Sequence, residues 1–296
     1  MMSENRHTIV MTGATSGIGA HALAHLTASP NTKIIVGARG GRDVPNATVL
    51  PLDLASLQSV RDFAAAVKQH LGGNKIDMLV LNAGAQFRHA ERSVDGFEMT
   101  FAVNHLSHYL LARLLLPEIA EGGRIVITTS DTHDPAKMPL GPRTLDPEAL
   151  AHPTKDSRAR AYPASKLCNL LTARSLAASA DATARHITVI AYNPGFTGGT
   201  SLSGDSSVQR AVNLALRPVL RFLSLFLSQL YMSTPEQSGD ALAQLVLGHV
   251  TPPPGNVYAS HVRGKITFPE ASKLAQNDDA RDLLWRESAT MVALPA

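Results

Sequence analysis

The chain has 296 residues, of which 44% are hydrophobic and 17% are charged, a composition typical of globular proteins with a sizeable core. A formal net charge of +3 and scattered basic residues argue against nucleic-acid binding, so we expect no nucleic-acid partner. The one cysteine, Cys168, excludes an internal disulfide, and with an N-terminus unlike a signal peptide it predicts a cytoplasmic protein.

Short apolar runs alternate with helical patterns along most of the chain. The predicted strands are 7–12, 33–37, 47–52, 76–81, 124–130, 187–193 and a short last one at 256–260, and the predicted helices are 17–28, 56–71, 95–120 and 157–180. Near-continuous apolar strands are typical of a parallel sheet that is covered on both faces. The alternation therefore predicts an α/β fold, a doubly wound parallel sheet in three α/β/α layers.

We expect residues 1–296 to form a single domain with two substrate-facing insertions. The segments at about 131–156 and 195–235 interrupt the alternation after the fifth and sixth strands. Open α/β sheets bind ligands at the carboxyl ends of their strands, which is where both segments begin.

A glycine-rich turn, "MTGATSGIGAHAL", joins the first predicted strand to the first helix. Glycine permits a tight turn and a close approach of the backbone to a pyrophosphate, and the helix N-terminus offers free N–H groups. The position between a strand and a helix makes a nucleotide site the favoured interpretation. The residues predicted to contact the cofactor here are Gly13, Thr15, Ser16, Gly17, Ile18 and Gly19.

The end of the second strand indicates which cofactor is bound. An acid in this region bonds the ribose 2′-hydroxyl of NAD, whereas an arginine accommodates a 2′-phosphate. The stretch "KIIVGARGGR" has no acid and presents Arg39, whose planar guanidinium suits phosphate. We therefore expect NADP(H) as the cofactor.

A tyrosine and a lysine four positions apart, Tyr162 and Lys166 in "AYPASKLCNLLTARSL", share one face of a helix. Free tyrosine has a pKa near ~10, and an ammonium about 4 Å away would favour its phenolate by up to ~4 kcal/mol, or about three pKa units. The pair therefore predicts a tyrosine that exchanges protons near neutral pH.

Three more motifs, "LNAGA", "FAVNHLSHYLL" and "VITTSD", lie in order between the glycine-rich turn and "YPASK". Together the five resemble the short-chain dehydrogenase/reductase family across about residues 8–200. The resemblance implies a Rossmann-type fold, hydride transfer with a nicotinamide cofactor, and the catalytic group Asn104, Ser130, Tyr162 and Lys166. It also implies that Tyr162, Lys166, Asp53, Leu54, Asn82, Ala83, Gly84, Pro194, Gly195 and Thr197 contact the cofactor, and that the protein forms a homo-oligomer.

The 32 residues from Ser130 to Tyr162 and the motif "SKLCNLLTAR" resemble the branch that contains retinol dehydrogenases and protochlorophyllide reductases. That branch implies a bulky hydrophobic small-molecule substrate, and we expect His133, Tyr192, Phe196 and Leu202 in its pocket. The Leu- and Phe-rich segment 206–232 is interpreted as a helical substrate lid; a core helix, an oligomer contact and a weak membrane-surface contact are alternatives.

The expected function is thus an NADP(H)-dependent carbonyl reductase or alcohol dehydrogenase with Tyr162 as acid and base. A carbon–carbon double-bond reductase and a non-catalytic NADP(H) sensor are the alternatives. The nucleophile elbow of serine hydrolases and the P-loop of kinases are missing from the sequence. His105 and His108 lack a third ligand at metal-binding spacing, so we expect no metal.

Overall fold

The centre of the protein is an eight-stranded sheet, parallel except at one edge. The computed structural model describes residues 7–40, 44–87, 89–154, 158–197 and 232–295. In sequence order the sheet strands are β1 (His7–Thr12), β2 (Thr32–Ala38), β3 (Thr48–Pro51), β4 (Ile76–Leu81), β5 (Ile119–Thr128), β6 (Thr188–Asn193), β9 (Tyr258–Val262) and β10 (Lys265–Thr267). Across the sheet the order is β10-β9-β6-β5-β4-β1-β2-β3, which confirms the predicted doubly wound topology.

Helices cover both faces of this sheet. The helices are α1 (Gly17–Ala28), α2 (Leu57–Leu71), α3 (Met99–Phe101), α4 (Ser107–Leu115), α5 (Pro147–Ala151), α6 (Arg158–Ala178), α7 (Ala180–Ala184), α8 (Pro235–Val246), α9 (Lys273–Gln276) and α10 (Asp278–Met291). One core lies between the sheet and the pair α1 and α8, and the other lies under α2, α4, α6 and α10. The inner strands β1, β4 and β5 contribute buried residues to both cores, as their near-continuous apolar sequences predict.

The predicted helix at 95–120 is wrong in its details. The chain forms the single turn of α3, a π-helical turn at Ala102–Leu106, α4, and a 3₁₀ turn at Leu116–Glu118. Pro117 lies within that last turn, where a missing N–H and the ring of proline stop an α-helix. Strand β5 then begins at Ile119 rather than at 124.

Two further differences concern strands. Strand β5 runs through Gly122 and Gly123 with an irregular register against β4, a known use of glycine in strands. Strand β10, which the sequence interpretation missed, forms a hairpin with β9 through Arg263 and Gly264, both at positive φ. Two central residues at positive φ are typical of the turns that fit the twist of a hairpin.

A separate two-residue ladder flanks the predicted lid. Strand β7 (Phe196–Thr197) pairs in parallel with β8 (Met232–Ser233), so the chain leaves and re-enters the described fold at one place. The predicted lid, 206–232, lies outside the described residues except for Met232. Within the described ranges, no helix is both long enough and apolar enough to cross a bilayer.

Candidate active site

A cleft of about 400 Å³ opens at the carboxyl ends of β1, β2, β3, β4 and β5. The predicted cofactor residues that line it are Gly13, Thr15, Ser16, Gly17, Ile18, Gly19, Arg39, Asp53, Leu54, Asn82, Ala83, Gly84, Tyr162, Lys166 and Pro194. Residues that lie up to 181 positions apart in the sequence, from Gly13 to Pro194, are thus brought to one edge of the sheet, where a doubly wound fold binds ligands.

The glycine-rich turn lies at the centre of the cleft floor. Gly13 has φ +67°, and a Cβ on it would lie 2.6 Å from the Ala83 backbone; a Cβ on Gly19 would lie 1.8 Å from the carbonyl oxygen of Gly13. Only glycine fits at either position. The side chain of Ser16, the N-cap of α1, makes no capping hydrogen bond, so the first turn of the helix faces the cleft without a side-chain acceptor.

The loop after β4 is fixed to this turn by hydrogen bonds. The amides of Asn82 and Ala83 donate to Thr12 Oγ1 at 3.1 and 3.2 Å, and Asn82 Nδ2 donates to the Gly13 carbonyl at 3.0 Å. Thr128 Oγ1 donates to Asn82 Oδ1 at 3.0 Å. These bonds join the ends of β1, β4 and β5 into one rigid floor.

Tyr162 lies on α6 with its ring on the cleft wall. Its hydroxyl hydrogen-bonds the side chain of Ser130, which follows β5 and accepts from the Thr132 amide at 3.3 Å. Burial raises the pKa of Tyr162 to about 12, and the bond to Ser130 offsets part of that rise. Without a ligand, the phenol is therefore a protonated group that can donate.

Lys166 is 2% exposed, and its Nζ lies 5.4 Å from the centre of the Tyr162 ring. It donates to the Thr128 carbonyl at 3.2 Å. Burial lowers the pKa of Lys166 to about 8, because a desolvated ammonium is costly. A Cβ on Gly84 would lie 3.1 Å from this nitrogen, so glycine at that position leaves room for the lysine.

Asn104 lies behind the cleft, fully buried in the π-helical turn. Its Oδ1 accepts from the Ala85 amide at 2.8 Å, and its Nδ2 donates to the Ala85 carbonyl at 2.9 Å and to Ser165 Oγ at 3.0 Å. Because π-helical turns frequently mark functional sites, this geometry accords with the importance that the sequence motif assigns to Asn104.

The cleft suits a dinucleotide phosphate on charge as well as shape. Arg39 is exposed at the end of β2 and lines the cleft. Asp53 also lines the cleft, and its Oδ1 accepts from the Ala55 amide at 3.0 Å. The glycine cradle, the uncapped helix start and Arg39 are the features that a pyrophosphate with an extra ribose phosphate requires.

The predicted substrate residues are not brought together. Tyr192 is fully buried under α8, where its hydroxyl donates to the Ser238 carbonyl at 2.8 Å, and His133 is fully buried, in contact with the Tyr258 ring. Both are core residues, which corrects the expectation that they line the pocket. Phe196 is 54% exposed beyond the end of β6, and Leu202 lies outside the described residues.

Two predicted cofactor residues lie beside the cleft rather than on its wall. Gly195 accompanies Pro194 in the turn after β6, with φ +71° and its amide bonded to Asn193 Oδ1 at 3.0 Å. Thr197 Oγ1 lies 2.9 Å from Ser238 Oγ.

An apolar wall of Phe87, Met99 and Val103 was missed by the sequence interpretation. Met99 and Val103 are separated by one helical turn within the stretch that was interpreted as a continuous core helix. Their four-residue spacing is the same for a core face and for a ligand-facing wall, so periodicity alone could not separate the two.

The sequence is similar to those of known oxidoreductases. The family described as short chain dehydrogenase matches residues 7–138. The chain is 31% identical to the WW domain-containing oxidoreductase of Drosophila melanogaster, over 97% of this chain and 68% of that protein. It is 30% identical to protochlorophyllide reductase A of Oryza sativa subsp. japonica over 97% and 80% of the two chains, and 28% identical to retinol dehydrogenase 13 of Homo sapiens over 98% and 85%.

Solved structures share the fold. The crystal structure of an uncharacterised protein from Mycobacterium paratuberculosis superposes with a TM-score of 0.72 at 25% identity, over 98% of this chain and 95% of that one. NADPH-bound carbonyl reductase from chicken fatty liver gives 0.59 at 18% identity, over 89% and 94%. Taken with the curated relatives, the cleft and its motifs establish that the chain belongs to the short-chain dehydrogenase/reductase family, in the branch of the retinol dehydrogenases and protochlorophyllide reductases, and is an oxidoreductase.

Proposed function

We propose that this protein is an NADP(H)-dependent reductase or dehydrogenase of bulky hydrophobic carbonyl compounds or alcohols. The observation that carries the proposal is the position of Tyr162 beside Ser130 and buried Lys166; Tyr162 and Lys166 line the cleft that the glycine-rich turn also lines. An acid, a hydrogen-bond donor and a cation therefore converge where a reacting oxygen could lie.

Tyr162, Ser130 and Lys166 have different roles in the proposed reduction. Bound NADPH supplies the hydride that adds to the carbonyl carbon. Tyr162 donates its proton to the carbonyl oxygen, and the Ser130 hydroxyl donates a hydrogen bond to that same oxygen. The charge of Lys166 stabilises the phenolate that remains, and Asn104 holds the loop at Ala85 that borders the cleft. In the opposite direction Tyr162 accepts the proton of an alcohol.

NADP(H) is proposed over NAD(H) because of Arg39. Its exposed guanidinium follows β2 and lines the cleft, so it is available to a 2′-phosphate as a bidentate partner. The carbonyl reductase of similar fold from chicken is itself NADPH-bound.

A hydrophobic substrate is proposed because exposed apolar side chains lie in the two segments that follow the neighbouring strands β5 and β6. Met138 and Leu140, in the segment after Ser130, are 44% and 45% exposed, and Phe196 after β6 is 54% exposed. Strands β5 and β6 are neighbours, so both segments leave the same edge of the sheet. Exposed apolar surface at the border of a cleft is typical of a binding site.

The test is NADPH oxidation in the presence of long-chain and polycyclic ketones and aldehydes. Tyr162→Phe should leave the Kd for NADPH nearly unchanged and lower kcat by about 10²-fold or more, since it removes the proton donor. Tyr109→Phe is the matched control, because that buried hydroxyl bonds the Trp285 carbonyl at 3.0 Å and does not line the cleft. Near-wild-type turnover by Tyr162→Phe would refute the proposed role.

A second candidate, reduction of a carbon–carbon double bond, is favoured by the 30% identity to protochlorophyllide reductase A over 97% of this chain. Cys168 is unsuited to donate the proton for that reduction, because its thiol is fully buried and burial raises its pKa. An α,β-unsaturated ketone separates the two reactions in one assay. An allylic alcohol as the product supports the carbonyl reductase, and a saturated ketone supports the double-bond reductase.

A further inference from the structure

A buried histidine connects the glycine-rich turn to the turn that carries Asn104. His108 is 2% exposed on α4. Its Nε2 lies 3.0 Å from Thr12 Oγ1, and its Nδ1 lies 3.1 Å from the Asn104 carbonyl oxygen. The two partners belong to different parts of the site: Thr12 precedes the turn that faces a pyrophosphate, and Asn104 borders Ala85 and Lys166.

The direction of each hydrogen bond follows from counting protons. Thr12 Oγ1 already accepts from the amides of Asn82 and Ala83, so its own hydrogen is directed to His108 Nε2, which must be unprotonated. The second nitrogen, Nδ1, then carries the proton and donates it to the Asn104 carbonyl. His108 is therefore neutral and held in a single tautomer by partners on both sides.

We propose that His108 is a positioning residue that aligns the cofactor turn through Thr12 and the catalytic turn through Asn104. The Thr12 side of the imidazole fixes the hydroxyl on which the Asn82 and Ala83 amides converge, and so fixes the cleft floor. The Asn104 side fixes the π-helical turn, and with it the side chain that binds Ala85. This inference rests on the proposed function, because it assigns His108 a part in NADP(H) binding and in turnover.

His105 provides a matched comparison on the same stretch of chain. It is 1% exposed, and its Nε2 lies 2.9 Å from Ser288 Oγ on α10, on the side away from the cleft. A substitution of His105 therefore removes an equally buried imidazole without touching Thr12 or the Asn104 carbonyl.

Two substitutions separate the two sides of His108. His108→Asn keeps an amide N–H near the Nδ1 position but withdraws the acceptor from Thr12. His108→Gln places an amide oxygen near the Nε2 position but offers no donor to the Asn104 carbonyl. We expect His108→Asn to raise the Kd for NADPH about tenfold with a smaller change in kcat. We expect His108→Gln to lower kcat about tenfold and keep the Kd within about twofold.

Fluorescence titration with NADPH, steady-state kinetics and thermal unfolding are measured on these variants and on His105→Asn and His105→Gln. The His105 variants should lower the Tm without separating Kd from kcat, and their changes in Kd and kcat set the baseline that the His108 variants must exceed. If the His108 variants instead change only the Tm, or change Kd and kcat together in proportion to the Tm, the positioning role is overturned.

A second readout uses the unliganded wild-type protein. The ¹⁵N resonances of the His108 imidazole should show a pyridine-type Nε2 and a protonated Nδ1, and the opposite tautomer would overturn the inference. A wild-type protein that does not bind NADPH would overturn the proposed function together with this inference. A wild-type protein that binds and reacts, beside His108 variants that behave like the His105 pair, would overturn the inference alone.

Discussion

At the scale of single residues, burial decides the protonation states of the site. The spacing of Tyr162 and Lys166 predicts a phenol whose pKa is lowered by a nearby ammonium, but in the unliganded site burial outweighs that effect, and Lys166 Nζ donates to the Thr128 carbonyl. Desolvation then dominates both groups, raising the pKa of Tyr162 to about 12 and lowering that of Lys166 to about 8. The unliganded site therefore holds a phenol ready to donate, which fits the direction of carbonyl reduction.

The lowered pKa of Lys166 predicts a basic limb in the pH profile. The amine is charged below about pH 8 and loses its charge as the pH rises through that value, so kcat/KM for NADPH, which reports the free enzyme, should fall above pH 8. Lys166→Arg should show a lower rate but no such limb, because guanidinium stays charged. A wild-type profile that is flat to pH 10 would contradict the assignment.

Arg39 should decide between the two nicotinamide cofactors. A charged hydrogen bond contributes about 1.5–3 kcal/mol, so Arg39→Ala should weaken NADPH about 10- to 100-fold and change NADH binding by less than about twofold. Calorimetric titration of both cofactors measures this. Arg286→Ala, an exposed arginine on α10, is the control and should change neither affinity. Equal losses for NADPH and NADH would show that Arg39 does not bind the 2′-phosphate.

At the scale of elements, apolar periodicity predicts the position of every inner strand but does not predict where a helix departs from α geometry. Strand β4 is found where it was predicted, at Ile76–Leu81, because a fully buried strand must be apolar throughout. The π-helical turn at Ala102–Leu106 was missed because its residues are ordinary helix formers. The π geometry depends on tertiary contacts, because the Asn104 side chain hydrogen-bonds the backbone of Ala85 and the hydroxyl of Ser165 on α6.

The packing of α1 on α8 depends on one glycine. A Cβ on Gly239 would lie 2.6 Å from His21 Cβ and 2.8 Å from the Ala22 amide and the Ile18 carbonyl oxygen, so Gly239→Ala would force the two helices apart. We expect a loss of about 1–3 kcal/mol in the free energy of unfolding and a Tm lower by several degrees. Glu236→Ala on the same helix, which removes an exposed partner of His21, should leave the free energy of unfolding nearly unchanged, because exposed ion pairs contribute little.

Urea unfolding at constant pH measures both variants. Gly239→Ala at wild-type stability would mean that the two helices can separate without cost, and would remove the reason for a glycine at this position.

At the scale of the whole molecule, the sequence predicts the topology, and most of the predicted cofactor residues line one cleft, whereas the predicted substrate residues do not come together. The cofactor motifs are local: the glycines around Gly17 and the run from Asn82 to Gly84 each line the cleft as continuous stretches. A substrate pocket is assembled from loops whose side chains have no shared period. Tyr192 and His133 are predicted to line the pocket, yet both are fully buried, because adjacent positions in a strand or tight turn face opposite sides.

The buried histidines predict a molecule that loses stability on acidification. Burial lowers the pKa of His105 to about 3 and that of His108 to about 4, whereas an unfolded chain protonates histidine near 6.5. The unfolded state therefore binds more protons between about pH 6.5 and 4, and the free energy of unfolding falls through that window as the pH drops. Each histidine should lower the free energy of unfolding by roughly 2 kcal/mol between pH 7 and pH 5, because the loss is about 1.4 kcal/mol per pH unit below 6.5.

His105→Asn tests this because asparagine does not titrate. At pH 7 the variant should be less stable than wild type, since it loses the bond to Ser288 and leaves space in the core. At pH 5 the wild type is destabilised because His105 must stay neutral in the folded state, whereas the variant has no such group. The difference in the free energy of unfolding between wild type and variant should therefore shrink by roughly 2 kcal/mol. Urea midpoints at the two pH values measure it. A difference that stays constant would mean that His105 gains water or a partner when protonated, and that the neutral core inferred here is wrong.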